Sequence, residues 1–264
     1  MKTNRLAYNF MDRLVKFYQK FQLSKERRKP VLIEKPLCTN ILVLSPHKDD
    51  DVIGCGGVLS KHIRANDRIT VVYMTDGRRG DNPYKISEDE LVEAREKESM
   101  DALGILGGVE SIHFLNYTEK ELICGSKEVS AVKAILSGVK PELVYLPFFL
   151  DNHPDHAATV KIFFKAAEEL EWKGICAFYE VWTALIPNTI IDISSLFEIK
   201  KNAIYAHKSQ TKLLDYADKI LGLNRYRTIY NSRIKGYAEA FYICEFMEIS
   251  EWLKENDNNK KSNP

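Results

Sequence analysis

A short apolar run, Ile41 to Leu44, leads into His47, Asp49, Asp50 and Asp51, and a small-residue stretch with Gly54, Gly56 and Gly57 follows at once. The run reads as a buried strand and the stretch after it as a helix. Three consecutive carboxylates at the end of a buried strand repel one another, and such a cluster persists where a cation sits among them. The strand-then-helix unit repeats along the chain. Arg68 to Met74 reads as a second strand, followed by a polar loop over 75–86. Ser87 to Glu90 is a capping box that opens a helix running to about Leu103. Ser111 to Leu115 is a third strand, 127–138 a helix, and Glu142 to Leu146 a fourth strand. Pro147 to His156 reads as a loop before a helix ending near Trp172, and Ile175 to Val181 as a fifth strand. This alternation predicts an α/β fold with a mostly parallel central sheet and helices on both faces. The end departs from it, with helical stretches near 195–206 and 210–223 and a long strand from Ala238 to Ile249.

Residues 1–36 differ in character. The first thirty carry nine Lys and Arg against Asp12 and Glu26. Because the whole chain carries only +1, the remainder is acidic, and no nucleic-acid partner is expected. Leu6, Phe10, Leu14, Phe17 and Phe21 recur at helical spacing among the basic residues. Such a helix serves a membrane surface, a partner or a second copy of the chain, or it docks on the protein's own body. Docking is the preferred reading, because apolar stripes most often serve a core. Ser24 to Pro30 reads as a linker, so the expected organisation is 1–36 helix and linker, 37–252 main domain and 253–264 a polar disordered tail. The five cysteines are odd in number and show no CxxC, which suits reduced thiols in the cytoplasm. No apolar run is long enough to span a membrane, and no signal peptide is evident.

The second chemical cluster is Asp151-Asn-His-Pro-Asp-His156, at the end of the fourth strand. Open α/β sheets bind ligands outside the carboxyl ends of their strands, so the two clusters are expected to converge. Either alone is a weak signal, and together they point to a metal site. A catalytic zinc takes three N/O ligands and keeps a position for water, and His47, Asp50 and His156 supply that set. A water bound there has a lowered pKa. Asp49 is left to take its proton as general base. His153 is left to stabilise an oxyanion or protonate a leaving nitrogen, and Asp155 to fix a histidine tautomer. His62 and His113 read as structural. Gly54, Gly56 and Gly57 do not match a dinucleotide fingerprint and read as close helix-to-sheet packing.

These residues resemble the LmbE-like, or PIG-L-like, zinc N-deacetylases, whose first motif is His-Pro-Asp-Asp-Glu followed by Gly-x-Gly-Gly. Here it reads His47-Lys-Asp-Asp-Asp51 followed by Gly54-Cys-Gly-Gly57. The second motif, His-Pro-Asp-His, stands unchanged at 153–156. Thr75-Asp-Gly77, Arg95-x-x-Glu98 with Ala102-Leu-Gly104, Ala206-His-Lys-Ser-Gln210 and Glu239-Ala-Phe241 extend the match in order over about 40–245. The resemblance implies a Rossmann-like three-layer fold and hydrolysis of the acetyl group from a small acetamido sugar of N-acetylglucosamine type. It implies one Zn2+ per chain on His47, Asp50 and His156, with Asp49 as base and His153 as acid. It makes Arg95 a sugar contact and His207 and Gln210 walls of the site. Arg78, in the loop after the second strand, is a further substrate contact if that substrate carries an acidic group. Two positions depart from the pattern. Lys48 replaces the proline and brings a cation close to the site. Asp51 replaces glutamate and shortens the carboxylate expected behind the ligands.

Two other functions compete. Asp49 to Asp51 also suit magnesium or manganese in a glycosyl- or phosphoryl-transferring enzyme, against which three histidines argue. A sugar-binding scaffold without catalysis is the other, against which the complete set of ligands, base and acid argues.

Overall fold

The computed structural model describes residues 2–23, 29–212 and 214–251. Helix α1 (Lys2–Leu23) precedes strands β1 (Val31–Ile33) and β2 (Asn40–Ser45). Then come α2 (Asp50–Arg64), β3 (Arg68–Thr75), α3 (Glu88–Leu106), β4 (Ser111–Tyr117), α4 (Ser126–Val139), β5 (Leu143–Pro147) and α5 (Pro154–Glu169). The chain continues through β6 (Ile175–Tyr179), β7 (Thr189–Asp192), α6 (Phe197–Ala206), α7 (Lys208–Thr211), α8 (Tyr216–Tyr226) and β8 (Ala238–Glu245). The strands form one sheet in the order β1-β7-β8-β6-β5-β2-β3-β4. Neighbours pair parallel except at β8, which runs antiparallel to both β6 and β7.

Alternate residues of the central strands divide the core between the two faces, as the two-residue period of a strand requires. Leu42, Leu44, Val72, Met74, Val144 and Leu146 pack with Val129 and Val132 of α4 and Val160 and Phe163 of α5. Ile41, Val43, Val71, Tyr73, Leu143 and Tyr145 pack with Val58 and Leu59 of α2, Leu103 of α3 and Ala203 of α6. The result is the expected three-layer α/β arrangement.

The N-terminal helix joins the first of these faces. Leu14 is fully buried, and Phe10 and Phe17 pack against the same cluster. The Phe10 ring meets Phe164 edge-on at 5.7 Å. The central part of the apolar stripe therefore faces the protein's own body. The side chains of Leu6 and Phe21, linker residues 24–28 and the tail 253–264 lie outside the described residues. Among the described residues, no helix is long and apolar enough to cross a membrane.

Two short strands escape the sequence pattern. β1 and β7 hold three and four residues and pair in parallel, Val31 opposite Thr189. Segments this short carry no readable alternation, and their identity as strands comes from each other and from β8. Residues 31–33 thus belong to the sheet rather than to a linker. The cysteines are all free, and Cys124 is exposed.

The glycines of α2 do serve close packing. A Cβ on Gly54 would lie 2.2 Å from the Tyr179 ring, and one on Gly57 would lie 2.5 Å from Ile193.

His62 is a structural histidine, fully buried in α2, with Nδ1 2.7 Å from Asp67 and Nε2 3.0 Å from the Tyr145 hydroxyl. Burial, outweighing the Asp67 hydrogen bond, pulls its pKa down to about 4. An unfolded chain takes up that proton near pH ~6.5. Between the two values the unfolded state binds more protons, so stability falls as pH drops through that window. The full difference is about 3 kcal/mol. Denaturation midpoints measured from pH 7 to 4.5 should fall less steeply in His62→Gln than in the parent, and parallel slopes would refute this account.

Candidate functional site

The chain leaves β2 and builds β3 and β4 on one side of it, then crosses to build β5 and β6 on the other. The gap between the carboxyl ends of β2 and β5 is therefore the topological switch point, where open sheets of this kind bind ligands. His47 to Asp51 follow β2 there, and Asp151 to His156 follow β5.

Helix starts place both groups. Asp49 is the N-cap of α2, with Asp50 and Asp51 in its first turn, where negative charge is favourable. His153 is the N-cap of α5, accepting a hydrogen bond from the Asp155 amide at Nδ1, and Pro154 supplies the fixed φ suited to a first helical position. His156 thus stands on the first turn of α5 rather than in the preceding loop.

The two groups meet. Asp50 Oδ2 lies 2.9 Å from His47 Nδ1 and 3.1 Å from His156 Nε2, and the two nitrogens are 3.3 Å apart. A tetrahedral zinc with bonds of about 2.0–2.1 Å spaces its ligands by roughly 3.3 Å, so this triangle needs little adjustment to hold one. The far nitrogens are oriented by carboxylates. His47 Nε2 is 3.3 Å from Asp155 Oδ2, and His156 Nδ1 faces Asp151 Oδ1 at 3.3 Å without completing a well-aligned hydrogen bond. Carboxylate–histidine pairs of this kind fix the tautomer of metal-binding imidazoles. Nitrogens of His47, His153 and His156 also lie within 4.8 Å of one another. His153 differs from the other two because its Nδ1 is taken by a backbone amide and stands 4.0 Å from Asp155 Oδ2. Its neutral form consequently carries the proton on Nε2. The donor set fits a divalent ion on His47, Asp50 and His156, with His153 beside it.

The field of the site favours positive charge. Burial alone would lower the His47 pKa, but Asp50 and Asp155 outweigh it and hold the imidazole well above the ordinary range. His156 is raised to about 9 against burial, chiefly by Asp50. Asp50 is itself held well below the carboxylate range, because His156 and His47 outweigh its burial. Burial and the adjacent Asp50 raise Asp49 to about 6. Asp51 is raised to about 7 by burial, opposed by the hydrogen bond it accepts from Tyr73 at 3.0 Å. Asp51 reaches Tyr73 and Ser45, and it stands behind Asp49 and Asp50.

A cavity of about 10 Å³ lies against Asp49, lined also by His47, Lys48, Gly77, Arg95, Glu98, His207, Ser209 and Gln210. That is about the room of one water. Larger surface grooves of about 410 and 620 Å³ lie elsewhere, between α6 and α8 and at the opposite ends of β5 and β6. His153 is the most open of the three imidazoles, at 21% exposed.

Arg95, His207 and Gln210 all reach this wall. Arg95 is nearly buried and donates to Gly77 O at 2.6 Å, Asp81 O at 2.9 Å and Gln210 Oε1 at 3.3 Å, so both terminal nitrogens are engaged and two of these bonds clamp the 77–81 loop. His207 Nε2 is buried without a partner, and burial lowers the imidazole to about 3, so it is neutral. Glu98 accepts from the Ser209 amide at 2.9 Å and hydroxyl at 2.6 Å and ties α7 to α3. Arg78 does not reach the cavity. Its Nε donates to Asp76 Oδ2 at 2.5 Å, and Glu88 and Asp89 flank its outer nitrogen, so the guanidinium is already neutralised.

Lys48 turns inward. Its ammonium, 3% exposed, donates to Asp76 O at 2.9 Å, pairs with Glu96 at 3.4 Å and lies 5.5 Å over the Phe114 ring. It ties the start of α2 to the end of β3. Asp151 and Glu119 escaped the sequence reading. Asp151 faces His156, and Glu119 stands 3.8 Å from Arg95. Only the position of Asp151 within the second cluster hinted at a role.

The chain is similar to several known proteins. Residues 42–167 match the family model described as PIG-L: GlcNAc-PI de-N-acetylase. A diacetylchitobiose deacetylase of Thermococcus kodakarensis is 26% identical over 189 residues, covering 64% of this chain and 69% of that protein. A probable N-acetyl-alpha-D-glucosaminyl L-malate deacetylase 2 of Bacillus subtilis is 26% identical over 187 residues, covering 66% and 84%. Among solved structures, the N,N'-diacetylchitobiose deacetylase of Pyrococcus horikoshii, complexed with its inhibitor, superposes with a TM-score of 0.70. It is 25% identical over 90% of this chain and 94% of that one.

Proposed function

We propose, from the match of residues 42–167 to the PIG-L family model, that the chain is a metal-dependent hydrolase acting on an N-acetylated amino sugar of N-acetylglucosamine type. Its relatives are deacetylases by name, which supports hydrolysis of an N-acetyl amide. The observation that carries the reading is the Asp50 carboxylate oxygen shared at 2.9 and 3.1 Å by an imidazole from the loop after β2 and one from the first turn of α5. A metal ion on His47, Asp50 and His156, with zinc as the proposed ion, would polarise the acyl carbonyl and make water acidic enough to attack at neutral pH.

The remaining chemistry belongs to the chain. Asp49 is not a member of the ligand triangle and its carboxylate caps no backbone amide, so it is free to accept the proton of the attacking water. His153 offers its Nε2–H to the charge developing on the carbonyl oxygen, and the proton that Asp49 takes from the water goes on to the departing amine. Asp155 holds the far nitrogen of His47 and Asp151 that of His156. The neutral, unpartnered Nε2 of His207 and the amide of Gln210 are proposed to meet sugar hydroxyls. Arg95 is proposed to shape the loop beside them and to offer Nε, the buried atom its clamp leaves unpaired.

Metal analysis of the purified chain is expected to find about one zinc per chain. Removal with a chelator should abolish release of free amine from N-acetylglucosamine conjugates, and zinc should restore it. A chain that binds zinc and releases amine from no such conjugate would contradict the substrate class.

A further inference from the structure

Tyr18 of α1 lies outside the segment matched by the family model, yet it touches both segments that meet behind His156. Its hydroxyl donates to Ile186 O at 2.7 Å and accepts from Ile186 N at 2.6 Å. One side chain therefore satisfies both main-chain groups of a loop residue, which would otherwise need partners of their own. The ring packs edge-on against Phe148 at 5.3 Å, Phe149 at 5.7 Å and Tyr242 at 5.4 Å.

Both contacts converge on Asp151. Phe148 and Phe149 lead into it, and its amide donates back to Phe148 O at 2.8 Å. Ile186 belongs to the loop between β6 and β7. In that loop the Trp182 and Thr183 amides donate to Asp151 Oδ2 at 2.9 and 3.1 Å. The same loop is held on another side by Arg227, which donates to Leu185 O at 2.8 Å and pairs with the buried Glu180. Asp151 Oδ1, the oxygen left over, accepts from the His153 amide at 3.1 Å and faces His156 Nδ1 at 3.3 Å.

We propose that Tyr18 is a positioning residue for the metal site: by bolting the 182–187 loop and the 148–151 segment together, it holds the Asp151 carboxylate against His156. The proposal rests on the reading of His156 as a ligand. It gives the N-terminal helix a task beyond covering the sheet, since a carboxylate oriented by two loop amides is only as fixed as that loop. Carboxylates behind metal-bound histidines typically change metal affinity by about 10–100-fold. Tyr18 acts one step further out, so about three- to tenfold is expected.

The test uses the full chain and zinc itself. Tyr18→Phe keeps the ring contacts and removes only the hydroxyl. Competition with a chromogenic chelator should show zinc held about three- to tenfold more weakly, and amide hydrogen exchange in the metal-free protein should rise over 182–187. Phe10→Leu, which alters the same helix without touching the loop, should change neither. Asp151→Asn should weaken zinc by about 10–100-fold, and adding Tyr18→Phe to it should cost little more, because both act through one carboxylate. Normal zinc affinity and exchange in Tyr18→Phe, or a fully additive loss in the double variant, would overturn the proposal. His156→Ala separates the failures. Zinc lost there but held normally by Tyr18→Phe and Asp151→Asn sinks the positioning role alone. Zinc retained in His156→Ala sinks the ligand assignment and the proposal with it.

Discussion

Replacing Asp49 by asparagine is expected to lower amide hydrolysis by about 10²–10⁴-fold, the usual worth of a general base, while the bound metal is retained. The side chain keeps its size, and Asp49 caps no backbone amide, so the fold should not notice the change. What is lost is proton affinity. Burial and the neighbouring Asp50 give this carboxylate a pKa of about 6, higher than a carboxylate in water, and an amide has no such basicity. The matching control is Asp50→Asn. It alters the one oxygen that both imidazoles share and should lose metal and hydrolysis together. Metal content and kcat measured side by side separate the two roles. Undiminished kcat in Asp49→Asn would remove it from the mechanism.

A second large effect is expected far from the chemistry, at Lys200. Helix α2 is broken at Cys55, whose φ of −137° and ψ of 16° are not helical. The amides of Gly57 and Val58 instead donate to Glu239 Oε1 at 2.7 Å and Oε2 at 2.8 Å. Lys200 closes the arrangement with an ammonium 2.7 Å from Glu239 Oε1, and both side chains are fully buried. Lys200→Met removes the cation and leaves a buried carboxylate unpaired, which costs about 3–5 kcal/mol. In a chain of this size that corresponds to a Tm lower by roughly 10 °C. Adding Glu239→Gln should recover part of the loss, since the side chain then has no charge to bury, although its single oxygen accepts from only one of the Gly57 and Val58 amides. Thermal melts of the single and double variants test this, and equal melting temperatures would refute it.

The candidate ligands, base and acid were legible in the sequence because each cluster is local. His47 to Asp51 and His153 to His156 are contiguous, and alternation of strands and helices was enough to put both at strand ends. The signatures at 95–98 and 206–210 were visible as well, but not their relation to each other. Only the packing of α7 on α3 lets Glu98 hold Ser209 and brings Arg95 to Gln210. The same holds for Glu239, whose partners Gly57 and Lys200 lie far away in sequence.

Charge in the sequence says nothing about direction in space, and this is where expectation and structure part. Arg78 reads as a free cation until Asp76, Glu88 and Asp89 surround it. Lys48 reads as a cation brought close to the site, and only the fold shows that Asp76 and Glu96 hold it. β1 and β7 are too short to show a period, and the β-structure of each depends on the hydrogen bonds of a neighbour. Tyr18 is the furthest case, since nothing within α1 indicates that its hydroxyl meets a loop 168 residues away. The sequence by itself determined the layered fold, its alternating elements and the chemical groups at the β2 and β5 ends, because periodicity and motif spacing are local properties. The tertiary structure alone decided which carboxylate orients which histidine, which cations are already paired and what the N-terminal helix holds in place. Those contacts depend on where the folded backbone carries residues that are distant along the chain.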